Sequence, residues 1–231
     1  MGARSVLVIN SKGGAGKSTL TSNLASYYSV RGYRTALFDF DRQMSSVRWL
    51  ERRPAEASEI TGVTGWTFRG VDSFQRVVMD PPAQIQNKDM VMLVARADVV
   101  IVPVLPSPID IHAAADFIRD LLIDGKVRQS NKPVCVVANR VRTNTVMYDQ
   151  LRKFLGSLKI PFLATLRDSQ NYTHASMKGI GIFEMKRDLV TQDLEQWRPL
   201  MQWIDRHFKA IELQERTHRL SRIRPPLTLV Q

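Results

Sequence analysis

The sequence predicts an α/β fold, a doubly wound, mainly parallel sheet with helices on both faces. Three observations predict it. Short, almost wholly apolar runs alternate with stretches of helical periodicity along most of the 231 residues, the pattern of strands buried on both faces. The first run ends in a glycine-rich turn that opens a helix. Two further runs end in a carboxylate, at Asp39 and at Asp80.

Residues 4–10 form the first strand and 18–31 a helix closed by Gly32. Residues 34–40 are the second strand, and 42–53 a helix stopped by Pro54. Residues 55–65 have mixed polarity and read as a loop, whereas 66–69 and 76–79 are short strands, the latter running into Asp80-Pro81-Pro82. A helix over 88–97 precedes a buried strand over 98–104, and a helix over 109–123 ends at Asp124-Gly125. The next strand covers 133–138, an amphipathic helix 145–158, and the last strand 160–166. Over 189–214, Leu194, Trp197, Leu200, Ile204, Phe208 and Ile211 recur three or four residues apart, the stripe of a long helix with one buried face. From Glu215 the chain turns basic and polar, and Pro225-Pro226 ends any helix. The expected organisation is one nucleotide-binding domain over 1–214 with a basic C-terminal extension over 215–231.

The turn after the first strand, Ser11-Lys12-Gly13-Gly14-Ala15-Gly16-Lys17-Ser18-Thr19, carries the chemistry. Its glycines let backbone N–H groups turn inward around phosphate oxygens, and the helix that follows adds a favourable N-terminal dipole. The pattern assigns nucleotide binding to Gly13, Gly14, Ala15, Gly16, Lys17, Ser18 and Thr19, with Lys17 on the β- and γ-phosphates and the Ser18 hydroxyl on Mg²⁺. The general phosphate-loop motif wants Gly five residues before the final Gly-Lys pair. Ser11 stands there, and a second lysine, Lys12, opens the loop.

Lys-Gly-Gly-x-Gly-Lys-Ser resembles the deviant Walker A loop of the ParA/MinD ATPases, a group that also includes the nitrogenase iron protein. The resemblance runs from Arg4 to about Phe183. It implies a P-loop NTPase fold, ATP and Mg²⁺ as cofactors, and a dimer in which Lys12 reaches the nucleotide of the partner subunit. Asp39-Phe40-Asp41-Arg42-Gln43 is similar to the family's Asp-x-Asp-x-Gln stretch, with Arg42 where proline is usual. By that resemblance Asp39 orients the attacking water, and Lys12, Lys17 and Asp39 are the catalytic set. Asp41 is left as a helix cap or a support for the switch loop. Asp80 resembles the Walker B carboxylate and would hold Mg²⁺ through a water, beside Ser18. Asn139 matches the position of the family's adenine-binding Asn, and with Arg140 after it is expected to bind the nucleotide; an Asn also ends strands for local reasons. Arg167-Asp168 resembles a late loop on the nucleotide side.

Composition chooses among branches of the family. One cysteine, Cys135, cannot hold a cluster between subunits, so the iron-protein reading fails; it cannot form an internal disulfide either, and suits a reducing cytoplasm. No stretch reaches the roughly 20 apolar residues of a membrane span. No signal peptide is expected before the first strand, and Val6 replaces the Ser or Thr that myristoylation of Gly2 would want. With the first strand expected from residue 4, no N-terminal helix-turn-helix is expected.

The net charge is +11, from 33 Lys and Arg against 22 Asp and Glu. The basic surplus is 4 over residues 1–139 and 7 over 140–231. Such a balance points to a polyanion, and by resemblance to nonspecific double-stranded DNA and a nucleoid-associated protein of the bacterial cytoplasm. Candidate contacts are Arg152, Lys153, Lys178, Lys186, Arg187, Arg206, Lys209, Arg216, Arg219, Arg222 and Arg224, taken as a patch. The expected function is a ParA-like ATPase, stimulated by a small adaptor protein, that hydrolyses ATP to ADP and phosphate while partitioning a plasmid or chromosome or positioning a protein cargo. A MinD-like membrane-associated or nucleotide-gated regulator is the alternative. With only Leu220 and Ile223 as apolar residues in the terminal basic segment, membrane binding is not expected.

Overall fold

The computed structural model describes residues 2–223 apart from 67, 69 and 126. Its elements are β1 (Arg4–Val8), α1 (Lys17–Ser29), β2 (Thr35–Asp39), α2 (Ser45–Leu50), β3 (Ile60–Thr64), β4 (Arg76–Asp80), α3 (Asn87–Arg96) and β5 (Val99–Val104). These are followed by α4 (Pro108–Ile123), α5 (Val127–Ser130), β6 (Val134–Val141), α6 (Val146–Ser157), β7 (Phe162–Arg167), α7 (Gln170–Met177) and α8 (Arg187–Ile223). Seven strands make one sheet in the order β3-β2-β4-β1-β5-β6-β7, and every pair is parallel.

Successive side chains of a strand point to opposite faces, so the sheet feeds two cores. Leu7 and Ile9 of β1 and its loop meet Leu93 of α3, Phe117 of α4 and Leu151 of α6. Val6 and Val8 meet Leu20 and Tyr28 of α1, Trp49 of α2, Ala175 of α7, and Trp197, Ile204 and Phe208 of α8. Trp197 is fully buried; truncating such a residue costs about 3–5 kcal/mol. The crevice of this topology opens beyond the carboxyl end of β1, between β4 and β5, where ligands of open α/β sheets bind.

Several boundaries differ from expectation. Residues 60–64, taken as loop, are the edge strand β3, in register with β2 from Thr35–Ile60 to Asp39–Thr64. Their mixed polarity reflects thin cover at the sheet edge: only Ile60 is buried, Thr61 and Val63 are half-buried, and Gly62 and Thr64 are exposed. Trp66 is a bend and Phe68 lies in no strand; the rest of the strand expected over 66–69 lies outside the described residues. Trp66 and Phe68 instead pack on Phe40, and Phe68 also stacks on Phe38. The helix expected from residue 42 starts at Ser45, because Met44 adopts a left-handed conformation at φ 51°.

Residues 139–141 extend β6 past its expected end, and the register with β7 shifts there. The boundary drawn between residues 214 and 215 falls inside α8. Glu215 pairs with Arg4 at the start of β1, and Glu212 lies 3.3 Å from Arg76 at the start of β4. The Arg76 guanidinium also lies 4.0 Å from the centre of the Tyr33 ring and 5.2 Å from that of Phe208. These contacts fasten α8 to the amino-terminal edge of the sheet, beyond the point where its apolar stripe fades.

Candidate functional site

The loop between β1 and α1 is shaped by two left-handed glycines, Gly14 at φ 78° and Gly16 at φ 90°. A side chain at Gly16 would put its Cβ 2.0 Å from Asn139 Nδ2. That amide donates to the Ala15 carbonyl at 2.9 Å, so β6 supports the loop from below. Asn10 supports its start, accepting the Lys12 N–H at 2.9 Å and donating to the Pro103 carbonyl at 2.6 Å. Lys17 is buried, with Nζ 3.5 Å from the Lys12 carbonyl. Burial lowers its pKa, while Asp80 and Asp41 pull the other way. Lys12 is half-buried and has no ion pair among the described residues.

The three carboxylates are placed differently. Asp39 is buried, and both its oxygens are occupied: Oδ1 accepts from Asp41 N at 3.0 Å, Oδ2 from Ser46 N at 2.9 Å and Val47 N at 3.3 Å. It therefore caps α2, whose own N-cap residue Met44 supplies no side-chain bond. Burial raises its pKa against the pull of those three N–H groups. Asp41 is half-buried; Oδ1 accepts from Gln43 N at 3.0 Å, and Oδ2 has no partner among the described residues. Asp80 is buried, its Oδ2 accepting the Ser46 hydroxyl while Oδ1 has no partner among the described residues. Burial pushes its pKa up to about 6, with the Ser46 and Ser18 hydroxyls and Lys17 opposing. Ser18 exerts its pull without meeting hydrogen-bond geometry at Oδ1.

A cavity of about 520 Å³ opens beside the loop, lined by Gly14, Gly16, Thr19, Asn139, Arg140 and Tyr172 among others. Asn139 and Arg140 lie within β6 rather than after it, and Arg140 is left-handed at φ 52°. Arg167 is tied to α8 through Asp193, at 2.7 and 2.9 Å, and Asp168 is held by Arg142 at 3.0 and 3.2 Å. Both line the cavity with their charges already matched.

The basic candidates do not form one patch. Arg152 and Lys153 are exposed on α6, over one face of the sheet. Lys178 follows α7 and Lys186 precedes α8, while Arg187, Arg206, Lys209, Arg216 and Arg219 are exposed along α8, over the other face. The Arg222 side chain and Arg224 lie outside the described residues. Sequence reading missed Arg198. Arg187, Arg198 and Lys209 recur every eleven residues, about three helical turns, so with Arg216 they form an exposed stripe. Ser46 was missed too, because one serine among polar neighbours carries no motif.

Relatives and solved structures share this architecture. The maintenance of carboxysome distribution protein A of Halothiobacillus neapolitanus is 26% identical over 192 residues, 79% of this chain and 88% of its own. A plasmid partition protein of Borrelia burgdorferi bound to AMPPNP superposes with a TM-score of 0.65 at 15% identity, over 87% of this chain and 99% of that one. The MinD cell division protein of Aquifex aeolicus gives 0.66 at 19%, over 86% and 97%. The model of the CobQ/CobB/MinD/ParA nucleotide binding domain matches residues 6–182, well over half of the chain, and the protein belongs to that family.

Proposed function

We propose that this protein is a positioning ATPase that binds ATP with Mg²⁺ in the β1–α1 loop, closes as a homodimer, holds DNA while ATP-loaded, and hydrolyses ATP to ADP and phosphate when an adaptor protein stimulates it. One observation carries the reading. A buried lysine, Lys17, and a buried carboxylate, Asp80, whose Oδ1 has no partner among the described residues, act on each other electrostatically beside a loop of left-handed glycines. An unpartnered oxygen there is costly unless a ligand completes it. The residues fit a hydrated Mg²⁺ held by the Ser18 hydroxyl and, through water, by Asp80. When bound, the metal neutralises charge on the β- and γ-phosphates.

Within this reading Lys17 grips the phosphates and Lys12, free of any ion pair among the described residues, reaches the partner's nucleotide. The cavity beside Asn139 takes the base, with Asn139 also acting as the strut under the loop. The water-orienting carboxylate is reassigned from Asp39 to Asp41. Asp39 has both oxygens committed to backbone N–H groups, whereas Asp41 acts on Lys17 and keeps Oδ2 open. Met44, Trp66, Ile109 and Val146 support closure by a second copy. Each is an exposed apolar side chain (37%, 43%, 71% and 69%), and each follows the carboxyl end of a strand, on the nucleotide face.

The α8 stripe is the surface offered to DNA phosphates, and the carboxysome-distribution relative favours a protein assembly as cargo. The test is DNA retention with ATP, ADP and no nucleotide over a salt series. Retention with ATP alone, falling steeply with salt, is the expected result. Retention by anionic liposomes in place of DNA would favour the membrane-associated alternative; among the described residues no helix is long and apolar enough to cross a membrane.

A further inference from the structure

We infer that Ser46 is a positioning residue of the metal site, holding Asp80 in the orientation that presents its free oxygen to a hydrated divalent cation. The inference rests on the ATP–Mg²⁺ reading above. Ser46, in the first turn of α2, is fully buried and faces both carboxylates that end neighbouring strands. Its N–H donates to Asp39 Oδ2 at 2.9 Å, its hydroxyl donates to Asp80 Oδ2, and its Oγ lies 3.4 Å from Thr21 Oγ1. Asp80 consequently has one oxygen fixed and one, Oδ1, buried without a partner among the described residues.

That is the arrangement of a metal-associated carboxylate and its outer hydrogen-bond donor: the donor fixes the plane and leaves one lone-pair set for the ion's shell. The backbone bond to Asp39 places the hydroxyl at the same time, so α2 and the metal carboxylate move as one body. A residue that only anchored α2 would need the N–H and not the hydroxyl.

The test separates the two bonds. Binding of a fluorescent ATP analogue is titrated with Mg²⁺, and measured again in EDTA, for wild type, Ser46→Ala and Ser46→Thr. Outer-shell partners of metal ligands set affinity by about 10–100-fold. Ser46→Ala should therefore need about tenfold more Mg²⁺ for half-saturation while its affinity in EDTA stays at the wild-type value. Ser46→Thr, which keeps the hydroxyl, should return the Mg²⁺ requirement to wild type. A Ser46→Ala titration that overlays wild type overturns the inference, as does an equal loss of affinity with and without Mg²⁺. If Ser46→Ala fails to fold, Ser46→Cys, which keeps the shape but donates weakly, must show the same rise in Mg²⁺ requirement, or the inference falls. Wild type that binds no analogue, or binds it without regard to Mg²⁺, removes the underlying reading instead.

Discussion

Asp39 Oδ2 accepts the backbone N–H of Ser46 at 2.9 Å, so the carboxylate that ends β2 is the anchor of α2. A capping carboxylate in a buried site contributes about 1–2 kcal/mol, and more when its loss strands several N–H groups. Asp39→Ala should therefore lose about 2 kcal/mol in urea denaturation. Asp41→Ala should stay within about 0.5 kcal/mol of wild type yet abolish hydrolysis in single-turnover assays. Normal stability in Asp39→Ala together with normal hydrolysis in Asp41→Ala would contradict the reassignment.

Asp80 has the opposite effect on the metal-free protein. Its pKa, raised from 3.8 to about 6, means that the folded state keeps a proton that the unfolded chain has released. Stability from this group is fully present below about pH 4 and is lost as pH rises through about 6, a loss on the order of 3 kcal/mol. Without metal, Asp80→Asn should match wild type near pH 4 and exceed it at pH 7.5, with the gap opening between. It should also lose any Mg²⁺-dependent stabilisation. Thermal melts across that range, with EDTA or Mg²⁺, check both points; a gap of the other sign would refute the account of Asp80.

Gly16 is constrained twice, by φ 90° and by Asn139 Nδ2 at 2.0 Å from where its Cβ would stand. Gly16→Ala should lower ATP affinity by at least tenfold. Adding Asn139→Ala should not restore it, since removing the amide leaves the left-handed backbone unchanged and also takes away the strut under the loop. Recovery in the double variant, measured by equilibrium binding, would show that the clash alone sets the requirement.

Arg53, just past α2, pairs with Glu184, and the two side chains are 7% and 9% exposed. Arg53 also donates to the Gly179 carbonyl at 3.1 Å and the Ser58 carbonyl at 2.8 Å. Breaking a buried pair from one side costs about 3–5 kcal/mol. Glu184→Ala should fall near the lower end, because the carbonyls still hold the guanidinium. Denaturation midpoints of Glu184→Ala and Glu184→Gln measure it, and a loss below about 1 kcal/mol would show that the pair adds little.

The α8 stripe predicts a position effect. Neutralising Lys209 and Arg216 should reduce the salt slope of DNA binding by about one for each phosphate left without its cation. Neutralising Arg152 and Lys153, on the opposite layer, should leave the slope alone. Equal effects from both pairs would mean that DNA reads overall charge rather than this helix.

Much of the fold was legible in the sequence because its strands are buried on both faces, which leaves runs such as Val99–Val104 almost wholly apolar. The phosphate loop was legible for a related reason: left-handed turns require glycine, and Gly14 and Gly16 advertise them. What escaped depends on partners distant in the chain. β3 lies at a sheet edge, where only Ile60 of its five residues is buried and no continuous apolar run forms. The continuation of α8 past residue 214 depends on Arg4 and Arg76 meeting Glu215 and Glu212. The different bonding of Asp39 and Asp41 turns on which carboxylate faces the N-terminus of α2, where Met44 takes a left-handed turn. No periodicity records such a turn.

The most direct measurement of the central claim is the equilibrium binding of ATP to wild type and to Lys17→Ala, with and without Mg²⁺. The account predicts Mg²⁺-strengthened binding by wild type and a loss of at least tenfold on removing the lysine. Absence of ATP binding, or the same affinity in both proteins, would contradict it.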